Sequence, residues 1–362
     1  MIDTLSLNHG TVPLPAFFPD GTYGAVRCVD SSDLRESHVP GLVMNGFHLL
    51  SKPGMNVLRH FKGVNNFSGW DKPVLTDSGG FQVFSMIRQN PHYGEVRKNE
   101  LIFRPDGGKE RVTLTPEKSI QHQFACGSDI MMCLDYCTHP EDSYEINKLS
   151  VDITIDWGER CKREYDKQMC ERKIPPEKRP LIFAIIQGGG YRDLRRACAD
   201  ALTGMGFDGF GFGGWPVASD GNLIDGILEY TASLMPDDKV KYAMGLGKPD
   251  GIVKCVRMGY NLFDCVIPTR EARHNRLYVF NDELDDNQFA YSHYYIMDDK
   301  YIKDDRPVSK SCDCPTCKKY SRAYLYHLYK IGDSSAYRLA TMHNLRFYTR
   351  LMEKIRENGR ML

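Results

Sequence analysis

Short apolar runs alternate along the chain with longer segments of helical pattern, and this alternation limits the possible folds more than any other feature. Apolar runs of this length are typical of strands buried on both faces, so their alternation with helices predicts βαβ units and a parallel sheet. The predicted strands are Leu42–Phe47, Pro73–Leu75, Ile130–Leu134, Leu181–Ile186, Gly209–Phe212, Tyr242–Leu246 and Leu262–Val266, with an eighth near Ala16–Phe18. The predicted helices are Pro116–Ala125, Tyr144–Glu171, Arg192–Met205, Asn222–Leu234, Pro249–Met258 and Ser334–Asn358. Eight strands suggest a closed (β/α)8 TIM barrel of the α/β class, although an open doubly wound sheet also fits the alternation.

Polar residues or glycines stand at the carboxyl end of nearly every predicted strand. Taken singly, each is an ordinary turn former. Six or seven together favour the barrel, because barrel enzymes build their sites at this face from several strand ends. The residues in question are Asn45, His48, Asp77–Gly80, Asp135, Gln187–Gly189, Gly213, Gly214, Met244, Gly245 and Asp264.

Three of these strand-end residues are acids that stand next to apolar residues: Asp77, Asp135 and Asp264. A carboxylate in such surroundings is costly unless it is hydrogen-bonded or functional. Three acids at one barrel mouth would suit nucleophilic and acid–base chemistry at an anomeric carbon. The residues by themselves therefore predict a barrel enzyme of glycosyl transfer, with structural aspartates at strand ends as the alternative reading.

Cys312, Cys314 and Cys317 form a C-x-C-x2-C cluster whose spacing is typical of a metal site. Three thiolates leave one tetrahedral position, for which both His343 and His327 are candidates. Four protein ligands would make a structural zinc site. The other nine of the 12 cysteines are scattered, as expected for free thiols in a reducing cytoplasm.

The 47 basic residues equal the 47 acidic ones, which argues against a disordered chain and against a uniformly basic nucleic-acid coat protein. The balance conceals two segments: residues 281–305 hold eight acids and two bases, and residues 306–362 hold twelve bases and four acids. The second segment is either a phosphate-binding surface or a solvated helix face. With no signal-peptide pattern and no apolar run of about 18 residues, we expect a cytoplasmic chain without membrane spans.

From about Leu14 to Tyr348 the chain resembles the tRNA-guanine transglycosylases, also called queuine tRNA-ribosyltransferases. The matching motifs are Asp77–Gln82, Gly127–Ile130 leading to Asp135, Gln187–Gly189, Met244–Pro249, Phe263–Arg270, Cys312–Cys317 and His343–Phe347. The resemblance implies a (β/α)8 barrel with an inserted zinc subdomain near its C-terminus. It implies a barrel core over 1–280, the zinc subdomain over 281–345 and a C-terminal helix over 346–362 that packs back on the barrel.

The reaction implied by the resemblance is base exchange in tRNA with a GUN anticodon. Guanine at the wobble position leaves, and a 7-deazaguanine base takes its place. Asp264 matches the family's nucleophile, which attacks the ribose anomeric carbon and holds the tRNA covalently. Asp77 matches the general acid/base.

The resemblance also assigns binding residues. Asp135 would accept from the N–H and amino group of guanine, Gln187 and the Gly214 N–H would read its carbonyl, and Phe81 and Met244 would sandwich the ring. The further residues that it places at the base are Ser78, Cys137, Gly213 and Gly245. Arg270 and Arg273 match family contacts to the flanking uridines. Cys312, Cys314, Cys317 and His343 match the four ligands of one Zn2+ per subunit, and the family forms homodimers.

The loop after the fifth predicted strand departs from the usual bacterial form of the family. It reads Trp215, Pro216, Val217, Ala218 and Ser219, where the bacterial form has Leu-Ala-Val-Gly-Glu after the glycine pair. This specificity loop leaves the incoming base open between 7-aminomethyl-7-deazaguanine, its 7-cyano counterpart and queuine. Two further hypotheses remain at this point: a related enzyme that inserts the base into DNA, and a non-catalytic partner subunit.

Overall fold

The structure, a computed structural model, describes residues 2–105, 111–218, 221–281 and 290–358. Within these ranges the strands are β1 Thr4–Leu7, β2 Gly10–Pro13, β3 Ala16–Pro19, β4 Leu42–Met44, β5 Val74–Thr76, β6 Gly94–Arg97, β7 Glu100–Phe103, β8 Val112–Leu114, β9 Ile130–Met132, β10 Leu181–Ile186, β11 Gly209–Phe212, β12 Val240–Ala243, β13 Leu262–Cys265, β14 Arg276–Phe280 and β15 Tyr291–Tyr295. The α-helices are α1 Ser31–Glu36, α2 Gly46–Leu49, α3 Met55–His60, α4 Val64–Ser68, α5 Gly80–Gln89, α6 Pro116–Cys126, α7 Tyr144–Glu171, α8 Arg192–Thr203, α9 Asp225–Leu234, α10 Pro249–Arg257, α11 Ile267–Arg273, α12 Pro315–Lys319, α13 Arg322–Lys330 and α14 Ser334–Glu357.

Eight parallel strands form one sheet in the order β3-β13-β12-β11-β10-β9-β5-β4. The two outer strands approach each other through a parallel bridge between Asp20 and Val43, where the Gly21 N–H donates to the Val43 carbonyl at 2.7 Å. The sheet is therefore a nearly closed barrel with helices outside it. The predicted α/β barrel is confirmed, and the doubly wound alternative is wrong.

The period of two along each strand decides which residues face the barrel axis. Leu75, Ile185, Tyr242 and Leu262 belong to the apolar cluster inside the barrel. Residues at the alternate positions of these strands, such as Phe263, pack instead against the surrounding helices. Two positions beyond each inner residue the chain reaches the barrel mouth, so the side chains at these positions converge there.

The eight predicted barrel strands all form, with shifts of a few residues at some ends. β4 ends at Met44 rather than Phe47, because α2 begins at Gly46. β12 moves at both ends and begins at Val240 rather than Tyr242, because it pairs in register with β11 from Gly209↔Val240 onward. Three antiparallel sheets had no counterpart in the sequence prediction: the β1–β2 hairpin, the three-stranded β6–β7–β8 sheet and the β14–β15 hairpin. Most of their short strands mix polar and apolar residues and lack the continuous apolar runs that marked the barrel strands.

The C-terminal part consists of the β14–β15 hairpin, α12, α13 and α14 around an apolar cluster of its own that includes Leu277, Ile296 and Leu325. The long helix α14 belongs to both cores, since Ala336 lies in this cluster and Leu351 lies in the barrel–helix cluster. The limit expected at residue 345 falls inside α14, which begins at Ser334. The three-part division of the chain stays a prediction. None of the helices in the described ranges is long and apolar enough to cross a membrane.

Candidate active site and metal centre

Asp264 lies at the end of β13, two positions beyond the inward-facing Leu262. Its Oδ1 accepts a hydrogen bond from the Tyr242 hydroxyl and another from the Gly245 N–H, both at 2.7 Å. Oδ2 accepts no hydrogen bond from the described part of the chain, so it is available to a substrate. Burial raises the pKa of Asp264 to about 6, while the two hydrogen bonds favour the charged form.

Asp77 follows β5 and is held by three donors. Its Oδ1 accepts from the Gly46 N–H at 2.7 Å and the Gly79 N–H at 2.9 Å, and its Oδ2 accepts from Asn45 Nδ2 at 2.7 Å. Burial raises the pKa of Asp77 to about 7, and the nearby charge of Asp264 adds to the rise. The two carboxylates therefore share one electrostatic environment, and each titrates close to neutral pH.

Gly46 is essential to this arrangement, because a Cβ at that position would lie 2.6 Å from the Asp77 carbonyl oxygen. Gly79 has a φ of +80° at the start of α5, a conformation that side chains other than glycine rarely adopt. The two glycines let both backbone N–H groups approach Oδ1 of Asp77 closely.

Asp135 and Gln187 form a second polar pair in the same mouth. Gln187 Nε2 donates to Asp135 Oδ2 at 2.6 Å, and both side chains are buried. Burial raises the pKa of Asp135 to about 6, against the effect of this hydrogen bond. The buried Gln187 Oε1 has no partner among the described residues. An unsatisfied buried amide oxygen beside a carboxylate indicates a polar ligand at this position.

The glycine pair after β11 forms a wall of the same pocket. A Cβ at Gly213 would lie 2.6 Å from Gln187 Cδ, so only glycine fits there. Gly214 has a φ of +86°, and its N–H interacts with the Cys137 thiol. Burial raises the pKa of Cys137 far above its ordinary value, which keeps the thiol neutral. Ser78 is also buried here, and its Oγ accepts from the Gly80 N–H at 3.2 Å.

Two exposed aromatic rings stand beside this pocket. Phe81 is 46% exposed and Trp215 is 43% exposed, and their ring centroids are 6.0 Å apart. Trp215 also meets His139 edge to face at 5.8 Å. The cavity next to them has a volume of about 540 Å³ and reaches Cys137. Met244 lies inside the barrel, where its Sδ would be 3.1 Å from a Cβ added at Gly211.

The specificity loop turns back on itself. Val217 pairs with Leu223 in an antiparallel bridge, and the Ile224 N–H donates to the Pro216 carbonyl at 3.2 Å. These two contacts hold the segment that follows Trp215 against Leu223 and Ile224. Ser219 lies outside the described residues.

Arg270 and Arg273 occupy the last turn of α11, the helix that follows Asp264 in the chain. Arg270 is exposed, and Arg273 donates from Nη1 to the Thr269 carbonyl at 2.9 Å. Burial lowers the pKa of Arg273, and the negative charge of Asp20 opposes this effect. Arg273 is therefore within electrostatic reach of Asp20, and Arg270 lies close to Arg273.

Three residues that act on the two carboxylates were missing from the predicted site: Asn45 and Tyr242, which donate hydrogen bonds to them, and Asp20, whose negative charge raises the pKa of both. The sequence marks Asn45 only as a polar residue at a strand end. Tyr242 is two positions before Met244 in β12, so the period of two could have placed it on the inner face. Asp20 follows β3 directly, and the rule that barrel sites lie at carboxyl strand ends could have found it.

The predicted metal cluster is brought together by elements far apart in the chain. The ligand atoms of Cys312, Cys314, Cys317 and His343 all lie within 4.8 Å of one another. His343 Nδ1 is 3.2 Å from Cys317 Sγ and 3.7 Å from Cys314 Sγ. His343 Nε2 lies 2.8 Å from the Tyr278 carbonyl oxygen, and an Nε2–H there would leave Nδ1 free as a ligand. The group can hold a metal ion, and the competing candidate His327 is not part of it.

The basic C-terminal segment carries less free charge than its composition suggests. Among its arginines, Arg306 and Arg322 bind Asp304, Arg338 binds Asp33, and Arg346 and Arg350 bind Glu353. Asp304 and Asp33 lie outside the segment and offset two of its eight excess positive charges, whereas Glu353 is already one of the segment's four acids. The acidic segment 281–305 contains eight acids, and four of them, at positions 282, 283, 285 and 286, lie outside the described residues.

Comparison with known proteins agrees with this geometry. Residues 2–358 match the family model described as queuine tRNA-ribosyltransferase. A queuine tRNA-ribosyltransferase from Psychrobacter sp. (strain PRwf-1) is 41% identical over 356 residues, which cover 98% of this chain and 88% of the relative. The enzyme of that name from Acinetobacter baylyi is 39% identical over 353 residues, covering 98% and 86%. The chain belongs to the queuine tRNA-ribosyltransferase family.

Proposed function

We propose that the protein is a tRNA-guanine transglycosylase, which replaces guanine at the wobble position of GUN anticodons with a 7-deazaguanine base. The observation that carries this proposal is the pair Asp264 and Asp77 at one barrel mouth, with pKa values near 6 and 7, beside the separate Asp135–Gln187 pair. The first pair suits covalent and proton-transfer chemistry, and the second suits recognition of a base.

In the first half of the reaction, Asp264 Oδ2 attacks C1′ of the ribose. The C1′–N9 bond breaks, its electron pair goes to the guanine, and protonated Asp77 supplies the proton that neutralises the leaving base. In the second half, Asp77 accepts a proton from the incoming base, whose nitrogen attacks C1′ and releases Asp264. Two displacements retain the configuration at C1′. One N-glycoside replaces another, so no energy-rich cosubstrate is needed.

The polar pair and its neighbours would select the base. Asp135 can accept from the N–H and the amino group of guanine. The second Nε2–H of Gln187, which the hydrogen bond to Asp135 leaves free, and the Gly214 N–H can donate to the carbonyl oxygen of guanine. Phe81 and Met244 would enclose the ring through stacking and a polarizable thioether. Ser78, Gly213 and Gly245 would complete the walls of the pocket.

The substituent at position 7 of the incoming base would meet Cys137 and the specificity loop. Trp215, Pro216, Val217 and Ser219 would set the space available to it. The 540 Å³ cavity beside Trp215 offers room at this place. An exchange experiment that offers each base separately distinguishes the three candidate bases.

The target nucleotide must leave the stack of the anticodon loop to reach the barrel mouth. Arg270 and Arg273 would hold the phosphates or bases next to it. The cluster of Cys312, Cys314, Cys317 and His343 would hold one structural Zn2+, because three thiolates and one imidazole are the donor set that zinc prefers. Bound zinc would tie α12 to α14. A homodimer stays a prediction that sedimentation can check.

The function is tested by offering the purified protein a tRNA with a GUN anticodon and one free base at a time: labelled guanine, 7-aminomethyl-7-deazaguanine, 7-cyano-7-deazaguanine or queuine. We expect mass spectrometry of the digested tRNA to show one deazaguanine at the wobble position and, with labelled guanine, isotope exchange. An Asp264→Asn protein should do neither and should form no covalent RNA complex.

Two results would overturn the proposal. Exchange on a DNA duplex but not on tRNA would make the protein a DNA-modifying relative. No exchange with any base by zinc-loaded protein, rescued by a cell extract, would make it a partner subunit.

A further inference from the structure

Arg195 is a buried cation that the proposed chemistry leaves without a role. It lies in α8, is 1% exposed, and its guanidinium donates to three carbonyl groups of the pocket loops. Nε donates to Gly189 at 2.9 Å, Nη1 to Ile186 at 2.6 Å, and Nη2 to Gly213 at 2.9 Å. One side chain thus joins the loop after β10 to the loop after β11.

No carboxylate lies within 4 Å of this guanidinium in the part of the chain that the structure describes. A buried charge without a counter-ion is expensive, and a neutral side chain could pack here at lower cost. The carbonyl dipoles and the face of Phe212, 4.2 Å from the guanidinium carbon, offset part of that cost. Burial lowers the pKa of Arg195 to about 10, so the group is still charged at neutral pH.

The Gly213 carbonyl and the Gly214 N–H belong to the same peptide group. A cation that binds the carbonyl oxygen withdraws electrons from the peptide, and this makes its N–H a stronger donor. The φ of +86° at Gly214 and the tight approach of Gly213 to Gln187 fix the orientation of this peptide. Its N–H faces Cys137, on the side where Gln187 also lies.

We infer that Arg195 is a positioning residue for base recognition, whose positive charge acts through the Gly213–Gly214 peptide on the oxo group of the bound purine. The same charge would stabilise the base as it leaves, because electrons from the broken glycosidic bond accumulate partly on that oxygen. This inference rests on the proposed function. It makes oxygen at position 6 of the base the group that Arg195 selects.

The test compares guanine with 6-thioguanine, which keeps the N–H and the amino group but replaces the oxo group with a weakly accepting sulfur. Binding of each base to the full-length, zinc-loaded protein is measured by calorimetry for wild type, Arg195→Gln and Arg195→Lys. We expect Arg195→Gln to weaken the binding of guanine about tenfold and the binding of 6-thioguanine less than about threefold. The ratio of the two affinities should stay closer to the wild-type ratio in Arg195→Lys, because lysine retains the charge.

Arg179→Gln is the matched control. Arg179 precedes β10 and binds Asp208 through two hydrogen bonds, at the end of β10 that lies opposite the pocket loops. Arg179→Gln should lower the free energy of unfolding and leave the ratio of the guanine and 6-thioguanine affinities unchanged.

Equal weakening of both bases by Arg195→Gln would show a purely structural role and overturn the inference. If Arg195→Gln does not fold, Arg195→Lys decides. Loss of all discrimination between guanine and 6-thioguanine in Arg195→Lys, which retains the charge, would also overturn the inference. If the wild-type protein exchanges guanine in tRNA but the Arg195 variants do not change the affinity ratio as expected, only the role of Arg195 is refuted. A wild type that neither binds nor exchanges guanine would refute the proposed function, and the inference with it.

Discussion

The Tyr242 hydroxyl donates a 2.7 Å hydrogen bond to Oδ1 of Asp264, and both side chains rise from neighbouring strands of the barrel. Tyr242 is 3% exposed, and burial raises the pKa of its hydroxyl well above the ordinary value, so it acts only as a donor. The bond favours the charged carboxylate and occupies Oδ1, so that Oδ2 is left without a donor from the described part of the chain. Asp264 is therefore oriented by a residue that no motif of the family resemblance contains.

Tyr242→Phe removes this donor and leaves the ring in place. A hydrogen bond to a charged group contributes about 1.5–3 kcal/mol, so we expect the exchange rate to fall roughly tenfold or more. The pKa of Asp264 should rise, because the hydrogen bond lowers it in the wild type. Single-turnover kinetics as a function of pH would measure both effects. An unchanged rate would contradict the orientation proposed for Asp264.

The pH dependence of exchange should be bell-shaped, with its optimum between about 6 and 7. Asp264 must be charged to attack, so activity is lost as the pH falls through its pKa of about 6. Asp77 must be protonated to assist the leaving base, so activity is lost as the pH rises through its pKa of about 7. The measured limbs belong to the interacting pair rather than to either residue alone. Asn45→Ala removes a donor to charged Asp77 and should move the alkaline limb upward, which a pH–rate series would record.

Gly213→Ala places a Cβ 2.6 Å from Gln187 Cδ and 2.7 Å from the Ile186 carbonyl oxygen. Overpacking of this kind costs about 1–3 kcal/mol, and here it displaces the amide proposed to read the base. We expect guanine binding to weaken roughly tenfold or more in calorimetry. Gly190→Ala is the control, because nothing lies within 4 Å of a Cβ added there. Equal effects of the two substitutions would argue against the tight approach of Gly213.

His343→Ala should release the zinc expected at the cysteine cluster, since it removes one of four ligands from helix α14. Structural zinc contributes directly to folding, so we expect the Tm to fall by about 5 °C or more and the metal content to drop from one ion per chain to a small fraction. Metal analysis and thermal unfolding would measure these changes. His327→Ala should keep both values at the wild-type level. Loss of zinc from the His327 variant would reassign the fourth ligand.

Trp215→Leu enlarges the space beside Cys137 without touching the two carboxylates. Guanine has no substituent at position 7, so its exchange should change by less than about threefold. The preference among the 7-substituted bases should shift by about tenfold towards the bulkier base, queuine. Competition between queuine and 7-aminomethyl-7-deazaguanine in one reaction would measure the shift. A constant preference would remove Trp215 from the residues that set specificity.

The sequence by itself determined the parallel α/β sheet, because buried parallel strands need continuous apolar runs and these runs are visible without any structure. The polar residues at the strand ends favoured the barrel over the doubly wound sheet, and the structure decided between them. It also placed Asp77, Asp135 and Asp264 at the carboxyl ends of barrel strands, since they follow or end such runs. The metal cluster was equally clear for its three cysteines, whose spacing is local. In each case the signal lies within a few neighbouring positions of the chain.

Tertiary structure decided what local spacing cannot contain. It selected His343 over His327, because α14 brings His343 within 4.8 Å of the cysteine sulfurs, while His327 of α13 is exposed and outside the cluster. It brought Tyr242 to Asp264, Asn45 to Asp77 and Arg195 to Gly213, which are contacts between residues 18 to 32 positions apart. It also paired the C-terminal arginines with acids as distant as Asp33, so that net charge overstated the basic surface. Contacts of this kind depend on strand register and helix placement, and these are fixed only when the whole barrel closes.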